Sequence, residues 1–212
     1  GSGNLARHLT QRLVLSGFTI QIVARSDKDK AVIKEISADI SFITDINLIN
    51  QHASIYIICV KDDAIIEVAA SLPFYPNEQQ VLLHTSGSTP SHILRPYANH
   101  YGVLWPIMSI TRNYQIEDPD RIPFVLTTSD QTAEYHLTRL AQYISSEYSY
   151  ADDKTRQQMH LIAVVSNNFT NHLFALAYQF STDHHIDFNK FQPIILVTVR
   201  RMQDENPGSL QT

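Results

Sequence analysis

The chain has 212 residues, 43% hydrophobic and 17% charged, which is enough apolar material for one domain or two small ones and too much for disorder. Sixteen Lys and Arg against 21 Asp and Glu give a net charge of −5. That balance argues against a nucleic-acid binder held by phosphates, and no polybasic block offers a membrane-surface patch. The apolar runs, such as Ile55 to Val60, are strand-sized and too short to span a bilayer. A single cysteine, Cys59, rules out a disulfide framework or a cysteine-built zinc site, fits a cytoplasmic protein, and leaves no metal expected.

The chain opens on Gly1-Ser2-Gly3-Asn4-Leu5-Ala6 and closes on the turn-rich Asn206-Pro207-Gly208-Ser209-Leu210-Gln211-Thr212. Both ends read as cuts in a longer chain, with a first strand missing before Gly1. Such a strand normally lies mid-sheet, so these 212 residues alone are expected to be poorly soluble.

Leu5, Leu9 and Leu13 recur at i, i+4 and i+8 and predict a helix over 4–15, ended by Ser16-Gly17. Phe18 to Ala24 is a β-branched strand, Asp27 to Ser37 a charged helix, and Ile40 to Ile43 a brief strand. Ser54 to Val60 is nearly all apolar, as a strand buried on both faces requires. Asp62 or Asp63 caps a helix to Leu72, and Gln80 to Thr85 is a second buried strand. Ser91 to Ala98 reads as helix, Val103 to Trp105 and Pro123 to Thr127 as strands, and Gln131 to Ser146 as helix.

This alternation predicts βαβ units and a parallel sheet. From Asp153 the pattern changes. Leu161, Val165, Phe169, Leu173, Leu176 and Phe180 step by three or four, so 153–182 reads as one long helix and 187–202 as another. The expected division is an α/β domain over 1–150 and an all-α domain over 151–212.

Gly1-x-Gly3-x-x-Ala6 matches the dinucleotide fingerprint. The first glycine makes a tight turn, the second admits a pyrophosphate, and the third small residue lets helix and sheet pack closely. The phosphates then rest on the N-terminus of helix 4–15, with Gly1, Ser2, Gly3, Asn4 and Leu5 as cofactor residues. The alternative is a purely structural turn. After the next strand comes Arg25-Ser26, where an NAD site places an acid. A guanidinium and a hydroxyl suit the 2′-phosphate of NADP; the alternative is a solvated surface arginine.

The stretches GSGNLARHL at 1–9, IICVKDDAI at 57–65, LLHTSGST at 82–89, HLIAVVSNNFTNHLFAL at 160–176 and NPGSLQT at 206–212 resemble a family of NADP oxidoreductases. These pair a Rossmann-like domain with a helical domain of unknown function and are related to β-hydroxyacid dehydrogenases and pyrroline-5-carboxylate reductases. The resemblance implies a 6-phosphogluconate dehydrogenase C-terminal-like helical domain that pairs into a homodimer. It also places Val60 and Lys61 beside the cofactor.

Ser86, in the hydroxyl-rich loop 84–88, is a candidate to hold a substrate carboxylate or the nicotinamide amide together with backbone N–H groups; the alternative is a turn capping the next helix. His160, Val164, Asn168 and His172 are spaced by four. In β-hydroxyacid dehydrogenases a catalytic Lys precedes an Asn by four residues. Asn168 matches the Asn, but Val164 stands where the Lys would be. His160, one further turn back at about 6 Å along the axis, is the candidate general acid. The alternative is that these polar groups belong to the core or a dimer interface.

The expected activity is hydride transfer between NADP(H) and a small carbonyl, hydroxyl or imine compound. The alternative is a dinucleotide-binding sensor that has lost its catalytic lysine.

Overall fold

A computed structural model describes residues 1–111 and 121–209. The last part of the closing motif, 210–212, lies outside the described residues. The chain divides into two compact units, Gly1–Leu161 and Ile162–Thr212.

The first unit opens on helix α1 (Asn4–Leu15). Gly17, at φ +81°, closes it in the left-handed conformation that favours glycine. The Phe18 and Gly17 N–H groups donate back to the Leu13 and Val14 carbonyls, which satisfies the helix end. Strand β1 (Gln21–Val23), helix α2 (Lys30–Ile36) and strand β2 (Ser41–Ile43) follow, with β1 parallel to β2. A 3-10 turn at Asp27–Asp29 takes the first residues of the expected charged helix.

A second ladder runs β3 (Ile55–Ile58), β4 (Val81–His84), β5 (His100–Pro106), β6 (Phe124–Thr128) and β7 (Tyr148–Tyr150), in that order. Strands β3, β4 and β5 are parallel, β6 returns antiparallel to β5, and β7 lies parallel to β6. Helix α3 (Ile65–Ala70) follows β3, and α4 (Gln131–Ile144) joins β6 to β7. The Asp130 carboxylate caps α4 by accepting from the Ala133 N–H at 3.0 Å.

Every residue of β4 is fully buried. Val81 and Leu83 face a core built with Leu9 and Leu13 of α1 and Leu137 and Leu140 of α4. Leu82 faces the opposite layer, with Ile58, Ile65 and Ala69. A strand that alternates between two apolar layers is covered by helices on both faces, as in a Rossmann-like α/β domain. The β4 end therefore offers a rigid edge from which a loop can present polar groups.

Helix α5 (Asp153–Ala163) begins in the first unit. The helical path continues through a π segment at Val164–Phe169 and then α6 (Thr170–Asp183). The long helix expected over 153–182 is thus one path interrupted by a wider turn. After a 3-10 turn at Phe188–Phe191, α7 (Gln192–Asp204) completes the second unit. Among the described residues, no helix is long and apolar enough to cross a membrane.

Candidate functional site

Gly1 lies between the carboxyl ends of β1 and β3. Its nitrogen donates to the Val23 carbonyl at 2.9 Å. A Cβ at Gly1 would fall 1.9 Å from the Cys59 carbonyl oxygen, so no other residue fits this turn unchanged. The Val60 side chain lies beside the same point, at 3.4 Å from that Cβ position. Gly3 is the N-cap of α1, and a Cβ there would meet nothing within 4 Å. The first turn of α1 carries no acidic side chain and its N-cap no side-chain hydrogen bond. An open, uncapped helix start with the positive end of the dipole exposed is suited to a phosphate.

Ser2 Oγ donates to Asp29 Oδ2 at 2.9 Å, and Arg7 pairs with Asp29 Oδ1. Asp29 therefore ties the glycine loop to the segment after β1. That segment carries Arg25 and Ser26, both exposed. Asn4 Nδ2 reaches the Ile110 carbonyl at 3.4 Å, Leu5 is half-buried against the core, and Lys61 is exposed ahead of the turn at Asp62–Ala64. The structure thus gathers Gly1, Ser2, Gly3 and Val60 at one sheet end, the end where open α/β sheets bind ligands.

The β4 loop is built on His84. Its Nδ1 accepts from the Ser86 N–H at 3.2 Å, and its Nε2 faces the Pro90 carbonyl at 3.4 Å. These partners require the neutral imidazole with its hydrogen on Nε2. Burial pushes the His84 pKa down to about 4; the Pro90 carbonyl works against that shift and the nearby Arg156 cation adds to it.

Ser86 is buried. Its Oγ accepts from the Thr89 N–H at 3.0 Å and donates to Thr89 Oγ1 at 2.9 Å. Ser86 shapes the loop from within. Ser88 Oγ donates to Asp62 Oδ2 at 2.7 Å and joins this loop to the one after β3.

Arg156 of α5 is fully buried. Nε donates to the Gly87 carbonyl at 3.3 Å, Nη1 to Thr127 Oγ1, and Nη2 to the Thr89 carbonyl and to Asp153 Oδ1 at 2.8 Å. Asp153 in turn accepts from the Ser91 N–H at 2.8 Å and from Ser91 Oγ at 2.9 Å. Burial disfavours the Asp153 anion, but the Ser91 and Arg156 donors outweigh it and hold the carboxyl below its usual range.

One turn further along α5, the His160 ring meets Trp105 edge-on, with centroids 5.6 Å apart and planes at 70°. His160 Nδ1 is buried without a hydrogen-bond partner among the described residues. A Cβ on Gly87 would stand 2.7 Å from that nitrogen and 2.6 Å from the indole, so this loop approaches His160 only because residue 87 is glycine.

Asn168 lies in the π segment of the second unit, exposed, and its Oδ1 accepts from Asn167 Nδ2 at 3.0 Å. Asn171 and His172 are exposed as well. Within the single chain these groups are therefore not buried core residues. Val164 opens the π segment, a local widening that recurs at functional sites.

The sequence assigns no site role to Arg156, Trp105 or Asp29. Asp153 and Arg156 at i, i+3 signal an ion pair, but an exposed pair has the same spacing. Among the described residues no cluster of three metal-ligating side chains exists.

Residues 1–86 match the family described as NADP oxidoreductase coenzyme F420-dependent, and residues 122–212 match a domain of unknown function, DUF2520. Among curated protein sequences, none matches the chain. A solved structure from Bacteroides fragilis, assigned as an NADP oxidoreductase, is 30% identical with a TM-score of 0.89. That match covers 100% of this chain and 82% of the other. A Thermotoga maritima protein is 22% identical with a TM-score of 0.74, over 100% of this chain and 80% of that one. An imine reductase from Myxococcus stipitatus in complex with NADP+ is 14% identical with a TM-score of 0.70, over 96% and 72%. The last two likenesses speak to the fold.

Proposed function

The chain belongs to a family of NADP oxidoreductases, and from that premise we propose that it transfers a hydride between NADP(H) and a small carbonyl, hydroxyl or imine compound. The observation that carries the reading is the Gly1 turn, which only glycine fits, beside an α1 N-terminus free of acidic side chains. The bound cofactor supplies the hydride; the protein supplies binding, orientation and electrostatics. The N–H groups at the start of α1 hold the pyrophosphate. Arg25 and Ser26 would hold the 2′-phosphate of the bound cofactor, and Val60 and Lys61 would be among the residues beside it. The Ser86 loop offers backbone donors to the substrate carboxylate or to the nicotinamide amide.

His160 is the general acid, with its imidazole held against Trp105 and Gly87. Asn168, which matches the asparagine of β-hydroxyacid dehydrogenases, hydrogen-bonds the substrate. Exposed Leu173, Leu176 and Phe180 on α6, with Ile194 and Val197 on α7, form apolar surface that supports a homodimer through the second unit. The free thiol of Cys59 supports a cytoplasmic location.

The test is NADPH consumption by the full-length chain with keto acids, aldehydes and cyclic imines, repeated with His160→Gln. Turnover that falls in the variant while NADPH still binds is the expected result. Unchanged turnover removes His160 from the chemistry. NADPH binding with no turnover on any compound favours the second reading, a dinucleotide-binding sensor, to which Val164 in the place of the lysine points.

A further inference from the structure

We propose that Arg156 is a positioning residue, a buried cation that clamps the β4 loop to α5 and so fixes where the His160 imidazole stands. The inference rests on the proposed role of His160, but its geometry is independent of the substrate.

A fully buried guanidinium is a costly way to fill space. Well-packed apolar residues of similar volume commonly stabilise a fold as well as a buried ion pair does. What a guanidinium adds is direction: a planar fork whose donors point along fixed lines. In this protein those lines run to four different places. Two end on backbone carbonyls of the β4 loop, at Gly87 and Thr89. One ends on Thr127 of β6, whose hydroxyl donates onward to the Ala151 carbonyl at 2.8 Å. The last ends on Asp153, which also holds Ser91 at the far end of the same loop. One side chain thereby sets the distance between a loop, a strand and a helix.

Arg156 and His160 are one helical turn apart, so they share a face of α5. The guanidinium holds the Gly87 carbonyl, and the imidazole lies against the Gly87 Cα side. Gln157, between them, donates to the Ser88 carbonyl at 2.9 Å and reinforces the same register. Any slip of the loop along α5 would move Gly87 relative to both His160 and the Trp105 indole. The clearance there is already so small that a single methyl would not fit.

The test uses Trp105, the sole tryptophan of the chain, which touches the His160 ring and is quenched when a neighbouring imidazole takes up a proton. The full-length protein is titrated through the weakly acidic to neutral range while Trp105 fluorescence is followed. His160→Gln identifies the His160 part of the signal. His84, in the same loop, takes up its proton near pH 4 and so titrates below that range. Of the other charged groups around the cluster, Asp153 is held below its usual carboxyl range by the Ser91 and Arg156 donors, so it stays charged across it; Asp62 and Arg156 face the same loop.

Arg156→Lys keeps the charge and loses the fork. It is expected to lose most of the His160-dependent quenching while still folding and still binding NADPH. Thr127→Val removes one of the acceptors of Arg156 together with the donor to the Ala151 carbonyl, and is expected to shift the same signal in the same direction if the lysine variant does not fold. A variant that melts at lower temperature but keeps the wild-type quenching curve would overturn the proposal, because Arg156 would then be structural only. Wild-type protein that shows the His160 signal but binds no NADPH would instead sink the proposed function and leave the clamp standing.

Discussion

His84 makes the stability of the β4 loop depend on pH. The ring is fully buried, and its Nδ1 accepts from the Ser86 N–H. A proton added at Nδ1 would set two N–H groups against each other and bury a charge near Arg156. Burial first, then the Arg156 cation, holds its pKa at about 4 against an ordinary 6.5. The unfolded chain therefore binds this proton more tightly than the folded one, and acid favours unfolding. The stabilisation is complete above 6.5, drains as pH falls from 6.5 to about 4, and changes no further below that. A separation of that size is worth about 3 kcal/mol in full, and about 2 kcal/mol of it is gone by about pH 5.

Urea unfolding of wild type and His84→Gln at about pH 7.5 and about pH 5 measures it, with the difference of differences removing the other histidines. Wild type is expected to lose about 2 kcal/mol more than the variant between the two conditions. Parallel losses would show that His84 titrates at its ordinary value and that the loop is not built on a neutral imidazole.

Gly1→Ala is expected to abolish NADPH binding, read by cofactor fluorescence, because the added methyl meets the Cys59 carbonyl. Retained affinity would mean that this turn is not where the cofactor lies. Leu173→Lys with Leu176→Lys is expected to turn a dimer into a monomer by sedimentation, since both side chains lie on the exposed apolar surface of α6. A wild-type monomer, or a variant that remains dimeric, would count against pairing through that helix.

Much of the fold could be read from the sequence because its signals are local. The leucine spacing of α1, the glycine that stops it and the all-apolar β3 and β4 reflect packing that each segment imposes on itself. Tyr148–Tyr150 pairs as strand β7 although its tyrosines carry no core pattern, because its position is set by α4 and the β6 edge. The helix expected over 91–98 is only a 3-10 turn, Ser91–Leu94, and Pro96 supplies no N–H to extend it. The π segment leaves no trace in the periodicity, since a change of one residue in a turn lies within the scatter of the pattern.

The glycine loop was legible for the same local reason. The His160 neighbourhood was only half legible, because Gly87, Trp105 and Arg156 come from three elements that meet only in three dimensions.

The proposed NADP site is formed by the Gly1 turn and Arg25. The most direct measurement is titration of the full-length chain with NADPH and NADH, for wild type and Arg25→Asp. Tight NADPH binding, much weaker NADH binding, and loss of the preference in the variant are expected. Binding of neither dinucleotide by the wild-type protein would contradict the proposal.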